Sequence, residues 1–357
     1  MIRVLGLALY GDMAASHRYR LAQYRAVLAQ QGIDLQVASL LGNSYLRRLY
    51  QGQRTSITDV ARMYRQRLQD VRDANTFDVW MIHCELLPFV PAFIEQRLIT
   101  RPYIYDFDDA FYLKYRTGKY RFLQGLLGRK FETTMANAAA VTAGNASLAE
   151  YAQRFNPKVH RLPTVVDTAR YQIAKRVKSG HAKLTIGWIG SPSTAAYLAE
   201  LVEPLNTLGR EFPIRFAVVG ATMPCALEGV EVCEIPWSED SEVEEIQSFD
   251  IGVMPLPDNE WARGKCAFKL IQYMACGIPV VASAVGANMD VVHPDTGFLA
   301  SSTSQWIDGL RKLLASQTLR EQQGLRGRQL IEAEYSLHSA APQLASVVRS
   351  IADTPRG

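Results

Sequence analysis

The sequence lacks any apolar run of the roughly 18–20 residues needed to span a bilayer. It also lacks a G-x-G-x-x-G fingerprint and a Walker-type phosphate loop, which argues against a dehydrogenase or a nucleotide hydrolase. Cysteine is sparse: Cys84, Cys225, Cys233, Cys266 and Cys276 are odd in number and show no metal-like spacing. Neither a disulfide framework nor a zinc ribbon follows from that, and reduced thiols in a cytoplasmic chain are the simple reading. The opening MIRVLGLALYGDM carries only Arg3 ahead of its apolar run, with Gly11-Asp12 directly after, so it reads as a first buried strand and not as a signal peptide. Acidic residues are scarce in the front half. Residues 1–170 hold 23 Lys and Arg against 14 Asp and Glu, a net of +9, whereas the remainder holds 16 against 21, a net of −5. The front half can therefore meet something anionic, such as nucleic acid, a lipid surface or a phosphorylated molecule; the back half cannot rely on bulk charge.

What is present is a repeated alternation. The chain has 357 residues with 48% hydrophobic content, which suits two globular cores better than one. Strand-like runs fall at Ile2–Tyr10, Leu35–Ser39, Val79–His83, Tyr103–Asp106 and Ala140–Thr142, with helical patterns between them, the first running from Arg18 to Gln31 and ending at Gly32. The segment Arg161–Tyr171 looks like a strand leading into a linker, and Lys175–Lys183 is polar without periodicity. A second alternation follows at Leu184–Ile189, Arg215–Val219, Val230–Ile235, Asp250–Pro255, Pro279–Ser283 and Gly297–Ala300. Alternation of this kind predicts α/β architecture with doubly wound parallel sheets. The expected domains are 1–170, a linker at 171–183, 184–335, and a C-terminal amphipathic helix in 336–357 that could cross back to brace the first domain.

In open α/β sheets, ligands bind beyond the carboxyl ends of the strands. After Leu184–Ile189 comes GSPSTAAYL, where Gly190 permits close backbone approach and Ser191, Ser193 or Thr194 can cap a helix whose free N–H groups suit an anion. An ordinary strand–helix turn would look the same. After Asp250–Pro255 comes LPDNEWARGKCAFKL, which places Lys265 just before a helix and Lys269 within its first turn. A cation there opposes the helix dipole at a cost of a few tenths of a kcal/mol, roughly, at a surface. Two such lysines suggest a ligand with more than one negative charge, although lysines pointing into water would leave the same pattern.

The stretch DIGVMPLPDNEWARGKCAFKLIQYMACGIPVVASAVGANMDVVHPDTGFLA at 250–300 resembles the donor-binding core of GT-B glycosyltransferases of family 4, whose phrase LEAMACGxPVVAS carries nucleotide-sugar contacts. LPTVVD at 162–167 resembles the family's LPNGVD at its domain junction, and the helices after 310 resemble its C-terminal helices. The resemblance implies a GT-B fold, with two Rossmann-like domains facing across a cleft, and a retaining, hexosyltransferase-like enzyme. It would use a nucleotide-diphosphate sugar without cofactor or metal. Two departures stand out. The family's Glu-x7-Glu pair falls on Gly264 and Gln272, and the Arg and Lys expected after the second domain's first strand are replaced by SPST. Charge accounting then gives the diphosphate to Lys265 and Lys269 in place of the missing cations; the alignment to the family puts Gln272 on the ribose and leaves Glu260, Asp258 and Asp290 as alternatives for the sugar hydroxyls. A nucleotide-sugar epimerase, or a binding protein without turnover, would share the fold.

The front half offers three constellations. GDMAASHRYRLAQY places Ser16, His17, Arg18 and Arg20 after the first strand, where they can hold an anionic acceptor or form a solvated basic helix start. IHCELLPFVP places His83 and Glu85 two apart at a strand end, either as cleft residues or as a satisfied buried pair. YIYDFDDAFY places Asp106, Asp108 and Asp109 after a strand; Asp106 or Asp109 is the candidate contact to an acceptor hydroxyl, since close like charges favour a shared proton or a cationic partner. Beyond these, FYLKYRTGKYRFLQGLLGRKFE interleaves tyrosines with Lys114, Arg116, Lys119, Arg121, Arg129 and Lys130. That composition suits a lipid interface or a phosphate-rich acceptor. A glycan or lipid-linked acceptor, an anionic inner membrane face and no nucleic acid are the expected partners.

Overall fold

The computed structural model describes residues 1–173 and 183–353. Most of the expected linker, 174–182, and the last four residues of the expected C-terminal segment lie outside the described residues. The chain divides into two compact units, Met1–Thr164 with Leu337–Gly357, and Val165–Ser336.

The first unit is built on six parallel strands: β1 (Ile2–Tyr10), β2 (Ile33–Leu41), β3 (Val79–His83), β4 (Tyr103–Phe107), β5 (Ala140–Ala143) and β6 (Val159–Arg161), in the order β2-β1-β3-β4-β5-β6. The second has β7 (Leu184–Ile189), β8 (Ile214–Val219), β9 (Glu231–Ile235), β10 (Ile251–Met254), β11 (Val280–Ser283) and β12 (Gly297–Ala300), ordered β12-β11-β10-β7-β8-β9. Helices on both faces bury parallel strands completely, so their sequences read as continuous apolar runs and not as alternations. All five residues of β3 and all four of β11 are buried.

The observed strands extend or trim the expected ones by one or two residues, as strand ends do. The larger difference is at Arg161–Tyr171, where the strand stops at Arg161 and the chain continues with a single bridge from Val166 to Ser336. Pro163 offers no N–H to a ladder, which accounts for the stop. The first helical segment begins at Ala15, passes through a π-turn at Arg18–Ala22, and continues as Tyr24–Ala29, followed by a turn that reaches Gly32 with φ of 78°. The C-terminal helix Leu337–Ala352 is part of the first unit, where Arg349 donates to the Gln31 carbonyl at 2.8 Å.

In the second unit the core packs Trp188, Leu198, Leu205, Phe216, Trp306 and Leu310 between one sheet face and its helices. Each such side chain contributes roughly 1.5–3 kcal/mol by leaving water. These cores fix where ligands can bind. Strand order reverses at β1/β3 in the first unit and at β7/β10 in the second, and such reversals open crevices at the strands' carboxyl ends.

Candidate active site

The second unit's reversal brings together the turn after β7 and the loop after β10. Gly190 follows β7 under constraint: a Cβ there would lie 2.5 Å from the Trp188 ring and 2.8 Å from Lys269 Cε. Lys269 lies in the first turn of the helix Phe268–Ala275, with its Nζ 5.3 Å from the Trp188 ring centroid. Lys265 precedes that helix, with its Nζ 5.9 Å from the Trp261 ring. Between the two lysines, Ala267 takes a left-handed φ of 53° at the helix start. Both lysines are only partly buried. The helix is locked to the strand end, because the Ile189 N–H donates to Tyr273 Oη at 3.0 Å.

Ser191 occupies the helix-start position before Pro192–Leu201, but its side chain makes no cap; it pairs with Ser193 Oγ at 2.8 Å, while Thr194 Oγ1 donates to the Ser191 carbonyl. Gly264 is buried, and Gly286 brings a second loop against it: a Cβ at Gly286 would meet the Arg263 backbone at 2.9 Å. Glu260 is exposed, Asp290 is half-buried on the short helix Asn288–Val291, and Asp258 pairs with Arg263 at 2.7 Å. Gln272 is buried, and its amide nitrogen donates to Tyr171 Oη at 2.9 Å. The Tyr171 hydroxyl bonds Glu242, whose other oxygen accepts from Trp237 Nε1 at 2.8 Å. Here the expected ribose contact meets a physical objection, since the group that would donate to a diol already serves the interior.

In the first unit, register decides the arrangement. His83, Asp106 and Thr142 are direct neighbours on β3, β4 and β5 and so share a face of the sheet. Asp106 is fully buried and accepts from Arg20 Nε at 3.0 Å, from Arg20 Nη2, from Thr142 Oγ1 at 2.6 Å and from His83 Nδ1 at 2.8 Å. Burial alone would raise its pKa, but the Arg20 charge and the hydrogen bonds from His83 and Arg20 hold it well below the usual carboxylate range. Asp106 and Arg20 were expected to touch an acceptor. Both are fully buried, so the structure gives them a positioning role instead: Arg20 fixes Asp106, and Asp106 fixes the His83 ring.

His83 and Glu85 do not act as a pair. Glu85 is buried among Lys114 (2.5 Å), Lys130 (2.8 Å) and the Tyr115 hydroxyl (2.6 Å). Lys130 also reaches Glu95 at 2.9 Å. Burial raises the Glu95 pKa to about 7, against the pull of Lys130. The His17 pKa is lowered by burial, and its Nδ1 lies 2.9 Å from the Tyr10 carbonyl; Arg18 donates to the Asp12 and Met13 carbonyls, and Ser16 is half-buried beside them. Asp109 caps its own turn, accepting from the Ala110 N–H at 2.9 Å.

Sequence reasoning missed Trp188, Trp261 and Tyr171, which contact Lys269, Lys265 and Gln272, and Cys84, whose thiol lies against His83 beside Asp108. Trp188 carried no signal because a tryptophan in a strand usually reports only core.

Two parallel doubly wound sheets with these reversals are the GT-B fold. Residues 183–316 match the family of glycosyl transferases group 1, so the second unit carries that family's domain. No curated protein matches the sequence significantly. Solved structures resemble the whole chain at low identity. HepE of Anabaena, solved with UDP-glucose, superposes with a TM-score of 0.73 at 15% identity over 98% of this chain and 100% of that one. Sucrose-phosphate synthase from Thermosynechococcus elongatus gives 0.70 at 11% over 98% and 99%. A UDP-forming trehalose-phosphate synthase from Burkholderia xenovorans gives 0.65 at 12% over 99% and 100%. Among the described residues no helix is long and apolar enough to cross a membrane.

Proposed function

We propose that the protein transfers a sugar from a nucleotide-diphosphate sugar to a glycan or lipid-linked acceptor with retention of anomeric configuration. The observation that carries this reading is the placement of Lys265 and Lys269 about the start of the helix Phe268–Ala275, with Lys269 against Gly190, at the β7/β10 reversal of a glycosyl transferases group 1 domain. HepE was solved with UDP-glucose, and a nucleoside diphosphate is the doubly anionic ligand these cations suit. As the glycosidic bond to the diphosphate breaks, negative charge develops on the leaving oxygen, and fixed cations lower that barrier most where charge grows. The departing diphosphate takes the acceptor's proton on the same face, which preserves configuration. Gly190 and the turn after it add backbone N–H groups to the lysines.

The front unit supplies the acceptor's side of this proposal. Exposed Phe122 and Leu126 stand in the same short segment as exposed Lys119 and Arg121, and Phe89 and Phe93 are exposed on a nearby stretch of chain. Apolar anchors beside cations suit an anionic membrane surface carrying a lipid-linked acceptor. One observation favours a second reading. Gly264 gives no carboxylate at the position of the family's first Glu, which fits a nucleotide-sugar binding protein without turnover. Incubation with a panel of nucleotide sugars and membrane extract separates the two. Release of nucleoside diphosphate that depends on acceptor, with product of unchanged anomeric configuration, supports transfer. Saturable binding without release supports the binder.

A further inference from the structure

We propose that His83, Cys84 and Asp108 form a three-ligand site for a zinc-class divalent cation at the carboxyl ends of β3 and β4. Their ligand atoms lie within 4.8 Å of one another. Cys84 Sγ is 3.1 Å from His83 Nε2, and Asp108 Oδ1 is 3.7 Å from the same nitrogen. Consecutive residues of a strand point to opposite faces. Here Cys84 has a left-handed φ of 63°, which breaks that alternation and turns the thiol toward the imidazole.

The tautomer supports the assignment. Asp106 accepts bonds from Arg20 and Thr142 as a carboxylate, so the 2.8 Å contact to His83 must be donated by Nδ1–H. The other ring nitrogen, Nε2, faces the Cys84 thiol and the Asp108 carboxylate. A carboxylate–histidine pair is also how metal-ligating imidazoles are oriented elsewhere, with the outer carboxylate fixing the ring and raising its basicity. The donor set of one imidazole, one sulfur and one carboxylate suits a borderline cation such as Zn²⁺. On binding, the Cys84 thiol releases its proton to water, and the thiolate with the Asp108 carboxylate cancels the charge of the ion. A neutral site can stay buried among His83 and Cys84, both nearly inaccessible, while the partly exposed Asp108 side leaves a fourth position for water or an oxygen ligand. Linear spacing conceals the site, because adjacent residues from one strand end meet a residue from the next.

The test uses the full chain, stripped with a chelator and titrated with Zn²⁺ by calorimetry and with Co²⁺ by absorption. One equivalent of Zn²⁺ should bind, and Co²⁺ should give a thiolate charge-transfer band in the near ultraviolet. Cys84→Ser should abolish the band and weaken Zn²⁺ binding by about tenfold or more, and Asp108→Asn should keep the band while weakening binding comparably. Cys225→Ser controls for the exposed thiol and should change neither. No Zn²⁺ uptake by the wild type, or a band that survives in Cys84→Ser, overturns the proposal. Should Cys84→Ser not fold, unchanged Zn²⁺ affinity in Asp108→Asn overturns it equally.

Discussion

In the first unit Arg20, Asp106, Glu85 and Lys130 are all buried and answer one another, whereas in the second Lys265 and Lys269 stand half-buried beside Trp261 and Trp188 at a strand reversal. The charge balance points the other way: the front half is basic and the back half acidic. Bulk charge is therefore a poor guide to where a diphosphate binds. The front half's interior ion pairs cancel, and its excess includes exposed cations such as Lys119 and Arg121 beside apolar side chains, while two local cations within an acidic half mark the candidate donor site. A buried pair holds its shape; a half-exposed cation at a strand reversal lies where ligands bind in this kind of sheet.

The comparison breaks most sharply at the lysines. Lys265→Ala and Lys269→Ala should each cut sugar transfer by a factor on the order of hundreds, the scale seen when one charge stabiliser leaves a reacting centre. Both should unfold at the wild-type denaturant concentration. Near wild-type initial rates in both variants would end the diphosphate assignment. Asp106→Asn should do the opposite, because it strands a fully buried Arg20. A loss of about 3–5 kcal/mol in urea unfolding is expected, as for a buried pair missing one member. A variant of unchanged stability would show that the network is dispensable.

Most of the fold was legible because buried parallel strands write themselves as continuous apolar runs; β1, β3, β7 and β12 run over the expected residues. The position of Lys265 and Lys269 about a helix start was legible too, and it stands out because a cation there runs against a local preference. Partners were not. Asp106 read as a candidate contact to an acceptor hydroxyl in DFDD, and only the pairing of β3 with β4 reveals that it holds His83. Gln272 looked like a substituted ribose ligand, and only its contact with a residue about a hundred positions earlier shows that it serves the interior. Gln272→Leu should thus lower unfolding free energy by about 1–2 kcal/mol, the scale of a lost buried hydrogen bond, with donor affinity unchanged. A weaker donor Michaelis constant at full stability would return Gln272 to the ribose.

The exposed face of the first unit predicts a salt-dependent surface effect. Lys114 and Arg116 pair with Glu85 and Glu132, so reversing them would damage the fold. Lys119 and Arg121 are exposed and testable. Each cation near an anionic membrane is worth about 1 kcal/mol, and the attraction fades within a Debye length. Lys119→Glu with Arg121→Glu should weaken sedimentation with anionic vesicles at low salt and leave donor binding intact. Equal sedimentation of variant and wild type would remove this face from the membrane proposal.

The smallest expected effect concerns Glu95. Its folded pKa is raised to about 7 by burial, despite Lys130 and the Leu87 N–H that donates to it at 2.7 Å. A raised folded pKa means that the native state binds the proton more tightly than the unfolded chain does. The associated stability is complete below the carboxyl's ordinary value and is lost as pH rises toward about 7. Asp106 works in the other direction: its depressed pKa stabilises the fold above the ordinary carboxyl range and loses that contribution in acid. Urea midpoints of the first unit's transition should therefore fall as pH climbs through the Glu95 window, and Glu95→Gln, which cannot ionise, should flatten that slope while leaving the acid limb in place. If the slope persists in Glu95→Gln, another group in the Glu85–Lys130 cluster carries the titration, and burial alone does not set the charge state of that interior.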